Sequence, residues 1–185
     1  GVRYKLEETQ ETYDVATKTD QEYITSAITP FVKYNSTDNF YLPRDGIKAS
    51  ASFETAGLGG DSKYYKSINK FGFYKGLEEQ IGFDAIFRYR AQINELIDNG
   101  RISEGDSFYL GGLKTVRGYE SYAFGPDDAN EDDPYKKMFA NSVEMSLPLI
   151  PSAKMRVSLF YDYGMIGKSS YNEIKRSGTG AVIEW

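Results

Sequence analysis

The stretch MRVSLFYDYG, residues 155–164, alternates between two kinds of side chain. Its odd-numbered positions are apolar or aromatic (Met155, Val157, Leu159, Tyr161 and Tyr163), whereas the even-numbered positions carry arginine, serine, aspartate, glycine and one phenylalanine. Because successive side chains of a strand point to opposite faces, this period of two predicts a β-strand with one apolar and one polar face. An amphipathic helix would instead show a period of 3.6 residues.

The same period of two recurs along the chain and predicts about eight strands. It is clear at residues 46–54 and 80–91, where Ile86 is the one exception to the alternation. Weaker versions occupy residues 2–8, 23–34, 63–74, 139–147 and 175–185. The strands are about 9–13 residues long, above the usual ~5–6 of soluble sheets and long enough for a tilted strand to cross a bilayer.

The predicted connections also indicate a membrane barrel, because they alternate in size. Compact turns at residues 38–45, 75–79 and 148–153 alternate with longer polar stretches at 11–21, 57–62, 94–136 and 166–173. Short turns on one side and long loops on the other are typical of outer-membrane barrels. The alternation alone leaves a soluble, lipocalin-like barrel open, which would place Ile47, Phe53, Phe83 and Phe87 inside, whereas a membrane barrel places them outside.

The composition excludes several classes of function. The 185 residues contain no cysteine and no histidine, so a disulfide framework, a thiolate metal site and Ser-His-Asp catalysis are impossible. An outer-membrane protease or lipase is therefore disfavoured. The net charge of −5 argues against a nucleic-acid partner. We expect no enzymatic activity, no catalytic residue, no metal site and no cofactor.

The most unusual segment is FYLGGLKTVRGYESYAFGP, residues 108–126, inside the longest predicted loop. Gly111, Gly112 and Gly118 permit backbone conformations with positive φ. Arg117 lies directly before the last of these glycines, so its side chain is a candidate for a fixed orientation. The plainer interpretation is an ordinary surface turn with a solvated arginine.

The string VRGY, formed by Val116, Arg117, Gly118 and Tyr119, resembles the signature of the BamA-type family of outer-membrane barrel-assembly proteins. The relatives of that family include two-partner secretion transporters and organellar import barrels. Further similar strings follow in the family's order: PRDG at 43–46, GLGGDSKYYK at 57–66, SVEMSLPL at 142–149, FYDYG at 160–164 and RSGTGAVIEW at 176–185.

The resemblance implies a role for the arginine of this motif. In the family it turns back into the barrel lumen and pairs with acidic residues of the wall, which by motif match are Glu144 and Asp162. Both acids lie on the polar side of the strand alternation, the side that faces the lumen of a membrane barrel. The alternative is that they are ordinary lumen-wetting charges. The supporting motif positions are Gly111, Gly112, Phe160 and Gly164.

The resemblance implies an all-β fold: an antiparallel transmembrane β-barrel fragment of about eight strands, with one long loop folding back into the lumen. Residues 1–185 would match roughly strands seven to fourteen of a sixteen-stranded barrel. The periplasmic repeat domains and the last two strands of the family's barrel would be absent. With two edges unpaired, the fragment is expected to close into a small barrel or to pair its edges with a second copy.

The resemblance also implies a function for the parent protein, namely folding and inserting β-barrel proteins into the bacterial outer membrane. Insertion is not expected of this chain alone. The implied partners are unfolded outer-membrane proteins, outer-membrane lipid and, in the parent protein, the lipoproteins of an assembly complex. The alternatives are a two-partner secretion transporter of the same superfamily and a passive eight-stranded barrel or adhesin.

Overall fold

The computed structural model describes residues 1–11, 21–126 and 134–185, which form one antiparallel sheet with its eight strands in chain order. This confirms the predicted all-β fold. One short helix, α1 (Glu78–Ile81), and two 3-10 turns interrupt the connections; among the described residues no helix is long and apolar enough to span a bilayer. The strands are β1 (Val2–Glu11), β2 (Gln21–Asn35), β3 (Gly46–Ala56), β4 (Tyr64–Gly76), β5 (Ile86–Asp98), β6 (Lys137–Ile150), β7 (Met155–Gly167) and β8 (Ile174–Glu184).

The two faces of the sheet differ in the way the alternation predicts. The inner face, which the long loop covers, buries Glu144 and Asp162 to 4% and 1% exposure. The outer face exposes apolar side chains such as Leu159, at 52%. Ile47, Phe53 and Phe87 also lie on the outer face, where Phe53 and Phe87 contact aromatic rings of β4. The soluble, lipocalin-like alternative is therefore wrong, because it would place these apolar side chains inside.

The strand predicted to begin at residue 80 begins instead at Ile86. Residues 78–81 form α1, which ends at Gly82 in the left-handed conformation. Glutamate and glutamine favour a helix over a strand, and this local preference overrides an alternation that continues through Phe83 by coincidence. Ile86, the exception to the alternation, is fully buried on the inner face. At its other end β5 extends to Asp98, so the longest loop begins at residue 99 rather than 94.

The predicted sorting of connections by size holds for the longest loop and for the compact turn between β6 and β7, but not for the other connections. The connections at 36–45 and 77–85 are no shorter than those at 57–63 and 168–173 on the opposite rim. In the first of these connections, the Asp38 carboxylate accepts hydrogen bonds from the Asp45 and Arg44 amides, which closes the turn before β3. These amides hold the pKa of the Asp38 carboxyl below its usual range. The predicted loop at 11–21 lies almost entirely outside the described residues.

The edges of the sheet correct one of the two predicted outcomes for the chain. β1 pairs only with β2, and β8 pairs only with β7. The described strands therefore do not close into an eight-stranded barrel, because closure would require β1 and β8 to pair. Pairing of the edges with another copy or with further strands stays a prediction, and it follows from the unsatisfied backbone groups that an open edge presents.

Asp84, which follows α1, links the β2–β3 turn and the start of β7 at one rim of the sheet. Its carboxylate accepts a hydrogen bond from Arg156 of β7 at 2.9 Å and another from Arg44 of the β2–β3 turn at 2.6 Å. Arg156 also donates to the Asp84 backbone oxygen at 3.0 Å. Arg156 and Arg44, in that order, hold the pKa of the Asp84 carboxyl below its usual range. These hydrogen bonds fix the β2–β3 turn, the α1 turn and the start of β7 relative to one another.

The lowered pKa of Asp84 predicts a pH dependence of stability. The stabilisation is complete above the carboxyl's ordinary pKa of about 3.9 and is lost as the pH falls through the lowered folded-state pKa. Asp84→Asn should therefore unfold at lower urea concentration than the wild type at pH 6, and the difference should shrink below about pH 4. Glu79→Gln, which removes a charge from the adjacent helix, is the control. A difference that is unchanged at pH 3 would contradict the assignment.

Candidate functional site

The long loop closes on itself before it reaches the sheet. Leu110 and Phe124 form an antiparallel bridge through two backbone hydrogen bonds of 2.7 and 2.9 Å. Inside the closed segment, the Thr115 hydroxyl accepts from the Gly111 amide and donates to the Gly111 carbonyl. Gly111 has φ = +116° and lies so close to Glu120 that a side chain there would collide with its backbone oxygen. The loop is thus a compact unit whose tip can be aimed.

The closed loop packs on apolar residues of the inner face. Leu110 and Val116 are fully buried, and they belong to one apolar cluster with side chains of β5, β6 and β7. Transfer of such side chains out of water contributes about 1.5–3 kcal/mol each. The inner face is therefore not uniformly polar. Its apolar patch, which the alternation did not predict, consists of Leu96, Met138, Ala140 and Ile166.

Arg117 turns inward at the end of this packed segment. Its Nε and Nη2 donate to the two oxygens of Asp162 at 2.7 and 2.8 Å, and its Nη1 donates to Glu144 at 2.8 Å. Nη2 also donates to the Ser142 hydroxyl at 2.9 Å, and the Arg117 amide donates to Asp162 at 3.0 Å. The guanidinium carbon lies 3.6 Å from the centre of the Phe160 ring. A planar fork of donors makes this arrangement possible, which a lysine could not reproduce.

Three further charged residues, Arg88, Arg90 and Glu184, complete the cluster. Arg88 of β5 donates to the second oxygen of Glu144 at 2.7 Å and to both oxygens of Glu184 at 2.6 and 3.0 Å. Arg90 lies 3.6 Å from Glu144. Three arginines thus face three carboxylates, and the four buried members of the cluster, two arginines and two carboxylates, balance in charge. Burying charges is tolerated only when they are paired and hydrogen-bonded. Sequence reasoning placed Arg88 on the polar face but did not find this role, and it missed Glu184 altogether.

Glycines of the wall let the loop backbone approach closely. A side chain at Gly164 would meet Leu110 and Val116 at 2.6 and 2.7 Å. A side chain at Gly178 of β8 would overlap the backbone oxygen of Arg117. Glycines on two strands therefore let the VRGY segment rest directly on the wall. These glycines and the charged residues around Arg117 are together called the loop seat.

A second anchor holds the beginning of the loop. Asp106 lies against Tyr64 of β4, whose hydroxyl is 2.8 Å from its carboxylate and 2.6 Å from that of Glu54. Lys66 donates to the Asp106 backbone oxygen at 2.7 Å, and Lys5 lies 3.6 Å from the Asp106 carboxylate. The loop is thus attached at two points: near its beginning at β1–β4 through Asp106, and near its middle at β6–β8 through Arg117.

The predicted site residues lie either at the loop seat or within the closed loop that rests on it. Gly118 has φ = +93°, which lets the chain turn directly after Arg117. Tyr119 packs edge-on against Phe124 at 5.0 Å and donates to the Ser177 carbonyl at 3.4 Å. Gly112, with φ = +88°, would clash with Ser121 if it carried a side chain. The site holds a loop in place and presents no nucleophile paired with a base, and the described residues contain no group of acids placed to bind a metal.

An apolar outer face on long antiparallel strands, with a charged inner face and a loop folded against it, defines the wall of an outer-membrane β-barrel. The chain belongs to the Omp85 superfamily, whose domain model matches residues 2–185. The localisation that follows is the bacterial outer membrane.

Several relatives are similar to this chain. The outer membrane protein assembly factor BamA of Neorickettsia risticii is 25% identical over 181 residues, and that of Neisseria meningitidis serogroup B is 30% identical over 164 residues. The human sorting and assembly machinery component 50 homolog is 28% identical over 127 residues. These alignments cover 88%, 81% and 67% of this chain but only 23%, 20% and 26% of the relatives. The chain thus spans about a quarter of their length.

A solved structure shares the fold. The crystal structure of BamA from Haemophilus ducreyi lacking POTRA domains 1–3 superposes with a TM-score of 0.78 at 17% sequence identity. The match covers 90% of this chain and 37% of the BamA chain. The open eight-stranded sheet therefore has the fold of part of that BamA structure.

Proposed function

We propose that the parent protein of this chain folds and inserts β-barrel proteins into the bacterial outer membrane. The observation that carries this proposal is the loop seat, in which Arg117 joins a closed loop to Glu144 and Asp162 on two adjacent strands. A passive barrel has no need of a loop fastened by buried charges. The relatives described above are named for assembly or sorting, which favours an assembly factor over a secretion transporter of the same superfamily.

The loop seat would act by holding one wall of the barrel rigid. Its charges lie on β5, β6, β7 and β8 and cross-link four consecutive strands through side chains. A rigid wall here would confine opening of the barrel to other strands when a substrate strand enters. The substrates proposed are unfolded outer-membrane proteins, with lipid and assembly lipoproteins as partners, and no catalysis or cofactor is required.

Reconstitution tests this function directly. The full-length protein in liposomes should accelerate folding of an urea-unfolded eight-stranded outer-membrane protein, read as the shift in gel mobility between unheated and boiled samples. Empty liposomes and liposomes with an unrelated barrel of equal mass are the controls. Folding no faster than in the unrelated barrel's liposomes would refute the proposal. Export of an unfolded passenger without its insertion would favour the secretion transporter.

A further inference from the structure

A cavity of about 530 Å³ opens on the inner face beside the loop seat. Its floor consists of small residues, among them Ser50, Gly72 and Ala140, and the loop tip at Leu113 and Lys114 forms one wall. Small side chains on the floor leave the space open, and the longer side chains that surround it include several cations as well as aromatic residues such as Tyr34 and Tyr74. The cavity shares Ser142 and Asp162 with the loop seat, but both side chains are hydrogen-bonded to Arg117.

Four cations on four successive strands line the cavity in a zigzag, and we call them the cationic row: Lys33, Lys48, Lys70 and Arg90. Lys33 pairs with Ser50, which is two residues from Lys48 on β3. By the same one-strand, two-residue step Lys48 is diagonal to Lys70, and Lys70 is diagonal to Arg90. Diagonal neighbours in an antiparallel sheet lie about 7–8 Å apart.

The row is poorly neutralised although the whole chain is acidic, with a net charge of −5. Among the described residues, Lys33, Lys48 and Lys70 form no ion pair with a carboxylate; Lys33 and Lys48 instead lie near aromatic rings. Arg90 lies 3.6 Å from Glu144, which two closer arginines already satisfy. Asp162 also lines the cavity, but Arg117 holds both of its oxygens. Unneutralised cations beside a cavity attract an anionic ligand.

We propose that the cationic row binds an extended acidic segment of a polypeptide that lies across strands β2–β5. Across the sheet the row advances by one strand spacing per cation, so its four members span about 14 Å. Three same-side residues of an extended chain, about 6.6–7 Å apart, cover the same distance. A single phosphate would reach at most two of these cations. Three of the four are lysines, which act as separate point charges rather than as the fork that grips one phosphate. This binding does not rest on the assembly function proposed above.

A binding assay with defined peptides tests the inference. The probe is a fluorescein-labelled seven-residue peptide in which glutamate alternates with serine, added to the full-length protein in detergent and followed by fluorescence anisotropy. Binding should weaken with added salt. It should fall about fivefold to tenfold in Lys48→Gln/Lys70→Gln, since two ion pairs are lost. The matched control is Lys175→Gln, which removes a lysine from the outer face of β8, and a glutamine–serine peptide should not bind.

The other outcomes are equally decisive. Equal affinity for wild type and the double variant would overturn the proposal. Binding of inorganic pyrophosphate, lost in the double variant while the peptide binds neither protein, would show that the row takes a compact phosphate instead. Lys48→Glu/Lys70→Glu provides a second test, because it should reject the acidic peptide and accept a lysine–serine peptide. Binding of the acidic peptide to that variant would also overturn the proposal. If neither double variant folds, the single variant Lys70→Gln should still weaken binding of the acidic peptide.

Discussion

Arg117→Ala should release the long loop from the sheet and destabilise the protein by about 3–5 kcal/mol, because buried Asp162 loses the guanidinium that holds both of its oxygens and Glu144 loses one of its two close arginines. Asp162 is 1% exposed and receives three hydrogen bonds from Arg117, including one from its amide. Arg117→Lys should recover little of this loss, since one ammonium cannot serve both carboxylates in the same geometry. Urea unfolding in detergent, followed by gel mobility, measures the change.

The released loop can be detected separately from global stability. The chain has no cysteine, and the side chain of Val116 is fully buried between the loop and the sheet. Val116→Cys therefore provides a reporter for maleimide labelling. Labelling should be slow in this single variant and much faster once Arg117→Ala is added. Lys114→Ala, an exposed change in the same loop, should leave the rate unchanged. Slow labelling in the Arg117→Ala background would show that apolar packing alone holds the loop.

Neutralising the acids distinguishes a charge clamp from simple packing. Glu144→Gln/Asp162→Asn removes the negative charges of the two carboxylates that bind Arg117. In Arg117→Ala, Asp162 has lost the guanidinium that held both of its oxygens, and Glu144 keeps its hydrogen bond from Arg88. Added to Arg117→Ala, this pair of changes should restore part of the lost stability, because an unpaired buried amide costs less than an unpaired buried charge. Additive losses from the three substitutions would instead mean that the arginine and the acids act independently.

The strand alternation was sufficient to predict most of the fold and one half of the site. It placed Glu144 and Asp162 on the inner face because a period of two fixes the face of every residue in a strand. It could not say which loop residue would reach them, since no local pattern encodes a contact across 45 positions such as that between Arg117 and Asp162. The family resemblance supplied that residue.

The features that the sequence did not predict depend on strand register or on backbone approach. Arg88 meets Glu144 because the two are directly paired between β5 and β6, and that register depends on the long loop between the strands. Glu184 binds Arg88 from β8, which is three strands from β5. The seat at Gly178 is visible only when the loop backbone is placed against it. A resemblance transfers motif residues, but it does not transfer the neighbours that the register brings to them.

Gly178→Ala should displace the VRGY segment although it changes no charge and no hydrogen-bonding side chain. The added methyl group would overlap the backbone oxygen of Arg117, and a backbone atom cannot move aside by changing a rotamer. Overfilling a packed site typically costs about 1–3 kcal/mol. Either the loop lifts or β8 shifts, and both lengthen the hydrogen bonds from Arg117 to Asp162.

The Val116→Cys reporter separates these responses. Faster maleimide labelling in Gly178→Ala, together with a lower urea midpoint, is the result expected if the glycine seats the loop. Ala181→Val, which adds bulk to the exposed outer face of the same strand, should change neither quantity. If Gly178→Ala changes neither the maleimide labelling rate nor the urea midpoint, β8 shifts to make room for the methyl group without loss of stability. In that case Arg117 follows the strand, and the clamp tolerates movement of the wall.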